Sequence, residues 1–189
     1  MRVLHVVLLC VVLGLASRAP AEEEQVASAR KVAGDLVQQL GARLRAELAQ
    51  GNAESAIAVC KEIAPQLAGR LSRETGARVA RVSLKTRNPL LGSPDAWEQR
   101  ALAEVERRAA AGEKPETLEV SEVVEEPAGR YFRYLKAIPV QPPCLICHGT
   151  PEMIAPAVRE RLRADYPHDR ATGYTPGQIR GAVTIKQPL

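Results

Sequence analysis

The feature that most constrains this chain is the pentapeptide Cys144-Leu145-Ile146-Cys147-His148, a C-x-x-C-H motif. Two thiols at this spacing can each add to one vinyl group of a haem, and the histidine that follows is then held where its imidazole can ligate the iron. The alternatives are a disulfide or half of a zinc site. A structural zinc site needs two more Cys or His ligands, and only Cys60, His168 and residues of an N-terminal leader remain. The motif therefore predicts one covalently attached haem c.

Residues 1–21 have the pattern of a secretory signal peptide. Arg2 supplies the positive end, residues 3–15 form an apolar run, and residues 19–21 form a small-x-small cleavage site before Glu22. The run is too short to remain as a membrane span, although an uncleaved anchor is the alternative. We therefore expect a single domain of residues 22–189, periplasmic or otherwise exported, with no membrane association after cleavage.

The net charge of the mature domain and its expected location limit the kinds of partner that it can have. The chain of 189 residues has a formal charge of +4, and two arginines lie in the leader, so the mature domain carries only +2. A charge this small, without a basic patch, gives no argument for nucleic-acid binding. Covalent haem attachment in bacteria takes place outside the cytoplasmic membrane. The expected partners are the cytochrome c maturation machinery and a redox or signalling protein.

The cysteine count singles out one more residue. Of four cysteines, Cys10 lies in the leader, while Cys144 and Cys147 are used for thioether bonds. Cys60 is left without a partner. A lone thiol in an oxidising compartment is a liability unless it is buried, cross-linked to another chain or bound to a metal.

Hydrophobic periodicity predicts helices in the first part of the chain. Residues 27–50 have apolar side chains at every fourth position, and a second helix begins near residue 53 with Cys60 on its inward face. Pro65 lacks the amide hydrogen of the helix ladder, so we expect a kink or break about one turn after Cys60. Gly76 ends the helical region.

The remainder has a mixed pattern. We expect a strand at 77–83 and a helix with Ser93 as N-cap and Pro94 at its first position, ending near Ala111. Residues 117–124 and 131–138 predict an antiparallel hairpin around the turn 127–129. A short helix at 152–164 and a last strand at 181–186 follow. This order predicts an α+β fold, and the late position of the motif argues against an all-helical class I cytochrome c. A class II cytochrome, a four-helix bundle, does carry a late motif but would not contain the hairpin.

Several segments together resemble the single-haem c-type cytochromes with a PAS-like fold, a family long catalogued as a domain of unknown function. They lie in order over nearly the whole mature chain, at residues 56–60, 64–65, 83–89, 97–98, 133–135, 144–149, 169–174 and 181–183. The resemblance implies a PAS-like antiparallel sheet with long N-terminal helices. It also implies histidine and cysteine as axial ligands, with His148 proximal and Cys60 distal. Such domains occur as extracytoplasmic input modules of signalling proteins.

The residues alone leave the distal ligand open. Periodicity favours an ordinary buried cysteine at position 60, because free cysteine is among the residues most often buried. Met153 is too close to the proximal histidine to reach the opposite face of the ring. His168 in its loop, or an open distal site, are the alternatives. Together with the resemblance, Cys60 is the expected distal ligand.

Four polar residues are candidates for binding haem propionates. Lys85 and Arg87 follow the predicted first strand, and Arg133 and Tyr134 lie on the strand before the haem motif. Half-buried carboxylates need such donors, and an arginine fork offers two hydrogen bonds. The alternative is a solvated basic loop and strand edge. We expect Trp97 to pack in the core.

Two functions follow from this ligand set. Thiolate favours ferric over ferrous iron, so reduction is expected to weaken the bond to Cys60 and make it switchable. This favours redox or small-gas sensing. The alternative is a small periplasmic electron carrier, which keeps both ligands and needs one exposed haem edge. We do not expect an enzyme, since the sequence offers no distal His/Arg pair for peroxidase chemistry.

Overall fold

The structure, a computed structural model, describes residues 20–51 and 53–189. The helices in chain order are α1 (Pro20–Ala49), α2 (Ser55–Ala58), α3 (Ala64–Thr75), α4 (Pro89–Gly92), α5 (Ala96–Ala110), α6 (Leu145–His148) and α7 (Pro156–Asp165). A π-helical turn, Val59–Ile63, joins α2 to α3, and 3₁₀ turns cover Pro115–Thr117 and Pro142–Cys144. The strands are β1 (Arg78–Val82), β2 (Glu119–Glu126), β3 (Gly129–Pro139) and β4 (Ile179–Pro188).

The strands form one antiparallel sheet in the order β1-β4-β3-β2. The last strand of the chain therefore lies in the middle of the sheet, between the first strand and the hairpin. The long N-terminal helix and this sheet confirm the predicted α+β class. The PAS-like character of the sheet stays a prediction.

Helices cover both faces of the sheet. Because side chains alternate along a strand, Phe132 and Tyr134 face α1 and α3, whereas Leu135 and Ala137 face α5. On the first face, Ala33 is fully buried against them. Trp97 packs on the second face, as expected, and its indole N–H donates to Glu122 at 2.6 Å.

Most predicted elements are present with shifted ends. Gly76 adopts a left-handed conformation, with φ of +68°, and caps α3 as predicted. The hairpin register pairs Glu126 with Gly129, so its turn is the dipeptide Pro127-Ala128. The last strand is longer than predicted because it pairs with neighbours on both sides.

The start of α5 differs from the prediction. Asp95, and not Ser93, is the N-cap, because its carboxylate accepts the Glu98 N–H at 2.8 Å. The Glu98 carboxylate in turn accepts the Asp95 N–H at 2.8 Å, which completes a capping box. Pro94 consequently lies before the helix. The sequence analysis also missed α4, which Asn88 caps by accepting the Leu90 N–H at 3.0 Å.

Residues 1–19, which include Cys10 and most of the predicted leader, lie outside the described residues. Helix α1 begins at Pro20, and Glu22 and Glu23 lie in its first turn. No helix formed by residues 20–51 and 53–189 is both long and apolar enough to cross a bilayer.

Candidate haem site

The C-x-x-C-H motif forms a compact turn at one end of the sheet, directly after β3. Pro142 and Pro143 open a 3₁₀ turn, and the single-turn helix α6 follows it. In a helical turn, residues three apart lie on the same side, so Cys144 and Cys147 are neighbours. Both thiols are half-buried and free. His148 ends the turn.

Gly149 allows the chain to leave this turn. Its dihedral angles are ordinary, so the reason for glycine is space. A Cβ atom at this position would lie 2.6 Å from the carbonyl oxygen of Leu145 and 3.1 Å from Cβ of Met153. Any side chain here would therefore push the haem motif out of shape.

The imidazole of His148 is oriented by a main-chain carbonyl. Its Nδ1 lies 2.7 Å from the carbonyl oxygen of Ala171, and since a carbonyl only accepts, Nδ1 carries the proton. Burial, reinforced by the positive charges of Arg180 and Arg87, holds the pKa of His148 well below its usual value. The ring is thus neutral, with the lone pair on Nε2. This is the protonation state in which a histidine can ligate iron.

Arg180 is a site residue that the sequence analysis missed. Its Nε atom lies 3.1 Å from Nδ1 and 3.3 Å from Nε2 of His148. The same guanidinium donates to Ser83 Oγ at 3.0 Å and lies 5.7 Å from the ring centre of Tyr174. No local pattern marks Arg180, because Ser83, His148 and Tyr174 come from three other segments of the chain.

Cys60 lies in the π-helical turn. The N–H of Ala64 donates to the carbonyl of Val59, five residues back, and Pro65 has no N–H to donate. The carbonyl of Cys60 accepts instead from the guanidinium of Arg81 at 3.5 Å. The helix therefore continues past Pro65 through a change of hydrogen-bond register, where the sequence predicted a kink or break. Such π-turns are frequent at functional sites.

The surroundings of Cys60 connect it to the haem motif. Ile57, one turn earlier, packs in the same cluster as Tyr166 and Cys147. Burial raises the pKa of the Cys147 thiol to about 11, and the positive charge of Arg87 opposes this shift. Burial also raises the pKa of Tyr166 to about 12. Through Ile57, the Cys60 turn is thus joined to the cluster that contains Cys147, although the two cysteines are far apart in sequence.

Lys85 and Arg87 lie beside the motif, and their donors bind protein groups. Lys85 Nζ donates to the carbonyl of Thr172 at 2.7 Å. Arg87, only 8% exposed, donates through Nε to Asp169 at 3.0 Å and through Nη2 to the carbonyls of Cys147 at 2.5 Å and Ala171 at 3.3 Å. Arg87 therefore links the motif to the carbonyl that orients His148. A propionate contact of either residue stays a prediction.

Arg133 and Tyr134 also contact protein groups, and a propionate contact of either residue stays a prediction. They point to opposite faces of β3, well before its junction with the motif. Arg133 is 1% exposed, pairs with Asp95 at 2.6 Å and lies 4.7 Å from the ring centre of Trp97. Tyr134 donates its hydroxyl to Glu119 at 2.7 Å. Both residues stabilise helix-to-sheet packing.

The alternative ligand candidates lie at the surface. His168 is exposed, and the side chain of Met153 is 54% exposed beside the motif. Neither is enclosed among the residues around His148. The donor set nearest the motif therefore consists of two thiols, one oriented neutral imidazole and the thiol of Cys60, which is chemically suited to a covalently attached haem.

A family model described as Tll0287-like matches residues 16–188, which is most of the chain. The chain belongs to the Tll0287-like family. Among solved structures, the fold is similar to the crystal structure of the cyanobacterial haem protein Tll0287, with a TM-score of 0.62 and 24% sequence identity. The match covers 90% of this chain and 97% of that one. Comparison with curated proteins gives no match. These findings show that the chain has the fold of that structure over nearly its whole length.

Proposed function

We propose that this member of the Tll0287-like family is a haem protein that acts in redox or small-gas sensing outside the cytoplasm. Cys144 and Cys147 would hold one haem c through thioether bonds, with His148 and Cys60 as the axial ligands. Its structural relative is itself described as a haem protein, which supports this assignment. The bound group would supply one-electron chemistry and an iron atom that small gases can bind.

The observation that carries the proposal is the π-helical turn with Cys60 beside the C-x-x-C-H turn. A sensor needs an element with two arrangements of similar energy. The turn is suited to this role, because the carbonyl of Cys60 has lost its helical donors and its contact with Arg81 is long, at 3.5 Å. Lys61, the next residue, pairs with Asp165 at 2.5 Å. A movement of Cys60 would therefore be passed on to α7.

An electron carrier is the second candidate, and one observation favours it. Ile146, inside the motif, is 36% exposed, and Met153 beside it is 54% exposed. Apolar side chains at the surface of a haem motif would suit the brief docking of a redox partner. A carrier would keep both axial ligands in both oxidation states. We propose a non-enzymatic role in either case, in an exported protein whose leader is residues 1–21.

Spectroscopy of the haem-loaded protein tests the ligand assignment. We expect Cys60→Ala to change the ferric absorption and EPR spectra, because a nitrogen–sulfur ligand set is lost. His168→Ala, which removes the exposed alternative, is expected to leave both spectra unchanged. Unchanged ferric spectra in Cys60→Ala would show that Cys60 is not an axial ligand.

The same samples distinguish the two roles. Loss of Cys60 ligation on reduction, followed by carbon monoxide binding, supports the sensor. Rapid electron self-exchange with both ligands kept supports the carrier, and it would count against sensing through Cys60.

A further inference from the structure

A basic cleft lies between α1 and the segment formed by the end of the Cys60 turn and α3. It has a volume of about 580 Å³, and Arg43 of α1 forms one wall while Ile63, Leu67, Arg70 and Arg73 form the other. This volume is in the usual range for small-molecule pockets, which is roughly 300–1,000 Å³. The cleft thus combines three guanidinium groups with apolar side chains.

The charges of the cleft are mostly uncompensated. Arg70 pairs with Glu74 at 3.1 Å and donates to Gln39 at 2.6 Å, which ties α3 to α1 at the cleft. Arg43 and Arg73 are exposed, and within residues 20–51 and 53–189 neither forms an ion pair. Guanidinium groups bind carboxylates and phosphates through paired hydrogen bonds, and apolar walls suit a hydrocarbon chain.

We propose that this cleft binds a small organic anion, a carboxylate or phosphate ester with an apolar chain, and that the bound anion shifts the Cys60 turn. The link is direct, because Ile63 is the last residue of the turn Val59–Ile63 and also lines the cleft. A ligand that prefers one arrangement of the turn changes its population. The binding site stands by itself, whereas the effect on Cys60 rests on the proposed function.

The test uses the full haem-loaded chain, with octanoate and octyl phosphate as probes and 1-octanol as the neutral control. We expect saturable binding of both anions by calorimetry, weakened by added salt, together with a change in the haem absorption spectrum. The double variant Arg43→Gln/Arg73→Gln is expected to bind about tenfold more weakly, equivalent to about 1.4 kcal/mol. Arg70 is left intact because it holds α1 and α3 together.

A matched control removes two other exposed arginines. Arg100→Gln/Arg107→Gln on α5 makes the same change in net charge and is expected to leave anion affinity unchanged. Absence of saturable binding, equal binding of 1-octanol, or equal weakening in both double variants would overturn the site. Binding without any spectral change would overturn the link to the turn.

One more variant separates this inference from the proposed function. In Cys60→Ala we expect the anion to bind with unchanged affinity but without its effect on the spectrum. If Cys60→Ala left the ferric spectrum itself unaltered, the proposed ligand set would fail while the anion site remained. If the ligand set held and no anion bound, only the cleft assignment would fail.

Discussion

Arg87 holds the C-x-x-C-H motif against the rest of the molecule. Its buried guanidinium donates hydrogen bonds to the carboxylate of Asp169 and to the carbonyls of Cys147 and Ala171. The Ala171 carbonyl in turn orients His148. The ion pair is therefore part of the scaffold of the site, because two of its acceptors belong to segments that contact the imidazole.

Arg87→Ala is expected to lower the free energy of unfolding by about 3 kcal/mol, because it leaves a half-buried carboxylate and two carbonyls without their donor. Urea unfolding measures this change. Arg87→Lys keeps the charge but loses the fork, so we expect an intermediate loss. Adding Asp169→Asn to Arg87→Ala is expected to lower the free energy of unfolding only slightly further, because the ion pair is already lost. A loss below 1 kcal/mol for Arg87→Ala would contradict this scaffold role.

Gly149 gives a sharper test of the geometry of the motif. Gly149→Ala is expected to destabilise the protein by about 1–3 kcal/mol and to lower the fraction of chains that carry haem, since its Cβ would meet the Leu145 carbonyl oxygen. Gly34→Ala in α1 is the control, because nothing lies within 4 Å of its Cβ position. There we expect a gain of about 0.5–1 kcal/mol. Equal effects at both positions would argue against a steric role for Gly149.

At the scale of the elements, α5 shows how a helix start depends on more than its local sequence. Ser93-Pro94 has the residues of a start signal, yet Asp95 is the cap. Asp95 also pairs with Arg133 from β3, a contact that Ser93 could not offer. The tertiary partner therefore favours the later of two possible caps.

The two caps can be compared directly by mutation. Asp95→Ala is expected to cost about 1–2 kcal/mol, because the helix loses its cap and Arg133 loses a partner. Ser93→Ala is expected to change the free energy of unfolding by less than about 0.5 kcal/mol. Thermal or urea unfolding measures both. A larger effect at Ser93 than at Asp95 would show that the helix begins where the sequence pattern placed it.

The π-helical turn is a second element whose local structure depends on a tertiary contact. Proline removes one donor from a helix, and the sequence alone predicts a kink or break about one turn after Cys60. The helix instead continues through Pro65, because the preceding turn uses hydrogen bonds between residues five apart. The carbonyl of Cys60 accepts a hydrogen bond from Arg81 of β1. This solution requires a strand that lies beside the helix only after folding.

At the scale of the whole molecule, one acidic group joins the N-terminal helix to the sheet. Glu119 of β2 accepts from Arg30 of α1 at 3.0 Å and from Tyr134 of β3 at 2.7 Å. The hydrogen bond from Arg30 lowers the pKa of Glu119 below its ordinary value of 4.5. A lowered pKa in the folded state means that the stabilisation is complete above pH 4.5 and is lost as the pH falls through the folded value.

We therefore expect Glu119→Gln to lower stability near neutral pH by about 1 kcal/mol and to flatten the loss of stability in acid. Urea unfolding at a series of pH values measures both. Glu125→Gln on the same strand is the control, since that carboxylate is 85% exposed, and it is expected to have little effect. An unchanged acid slope in Glu119→Gln would mean that other carboxylates dominate acid unfolding.

Predictions that depend on neighbours in sequence were largely confirmed. The hairpin, the Gly76 cap and the strand before Ser83 follow from alternation and turn chemistry over a few residues. The assignment of Arg133 and Tyr134 to haem propionates stays a prediction, and alternation sends the two side chains to opposite faces of β3. Arg180 was missed because its contact with Ser83 spans 97 residues.

The sequence by itself determined the chemistry available to this protein: two thiols and an imidazole at haem-attachment spacing, in an α+β chain. The spacing within C-x-x-C-H needs only one helical turn, so no distant contact is required to bring these groups together. Only the tertiary structure decided how they are held. The tautomer of His148 depends on Ala171, and the environment of Cys60 depends on a turn that packs beside the motif. Such contacts join segments far apart along the chain, and the pairing of β4 between β1 and β3 creates several of them.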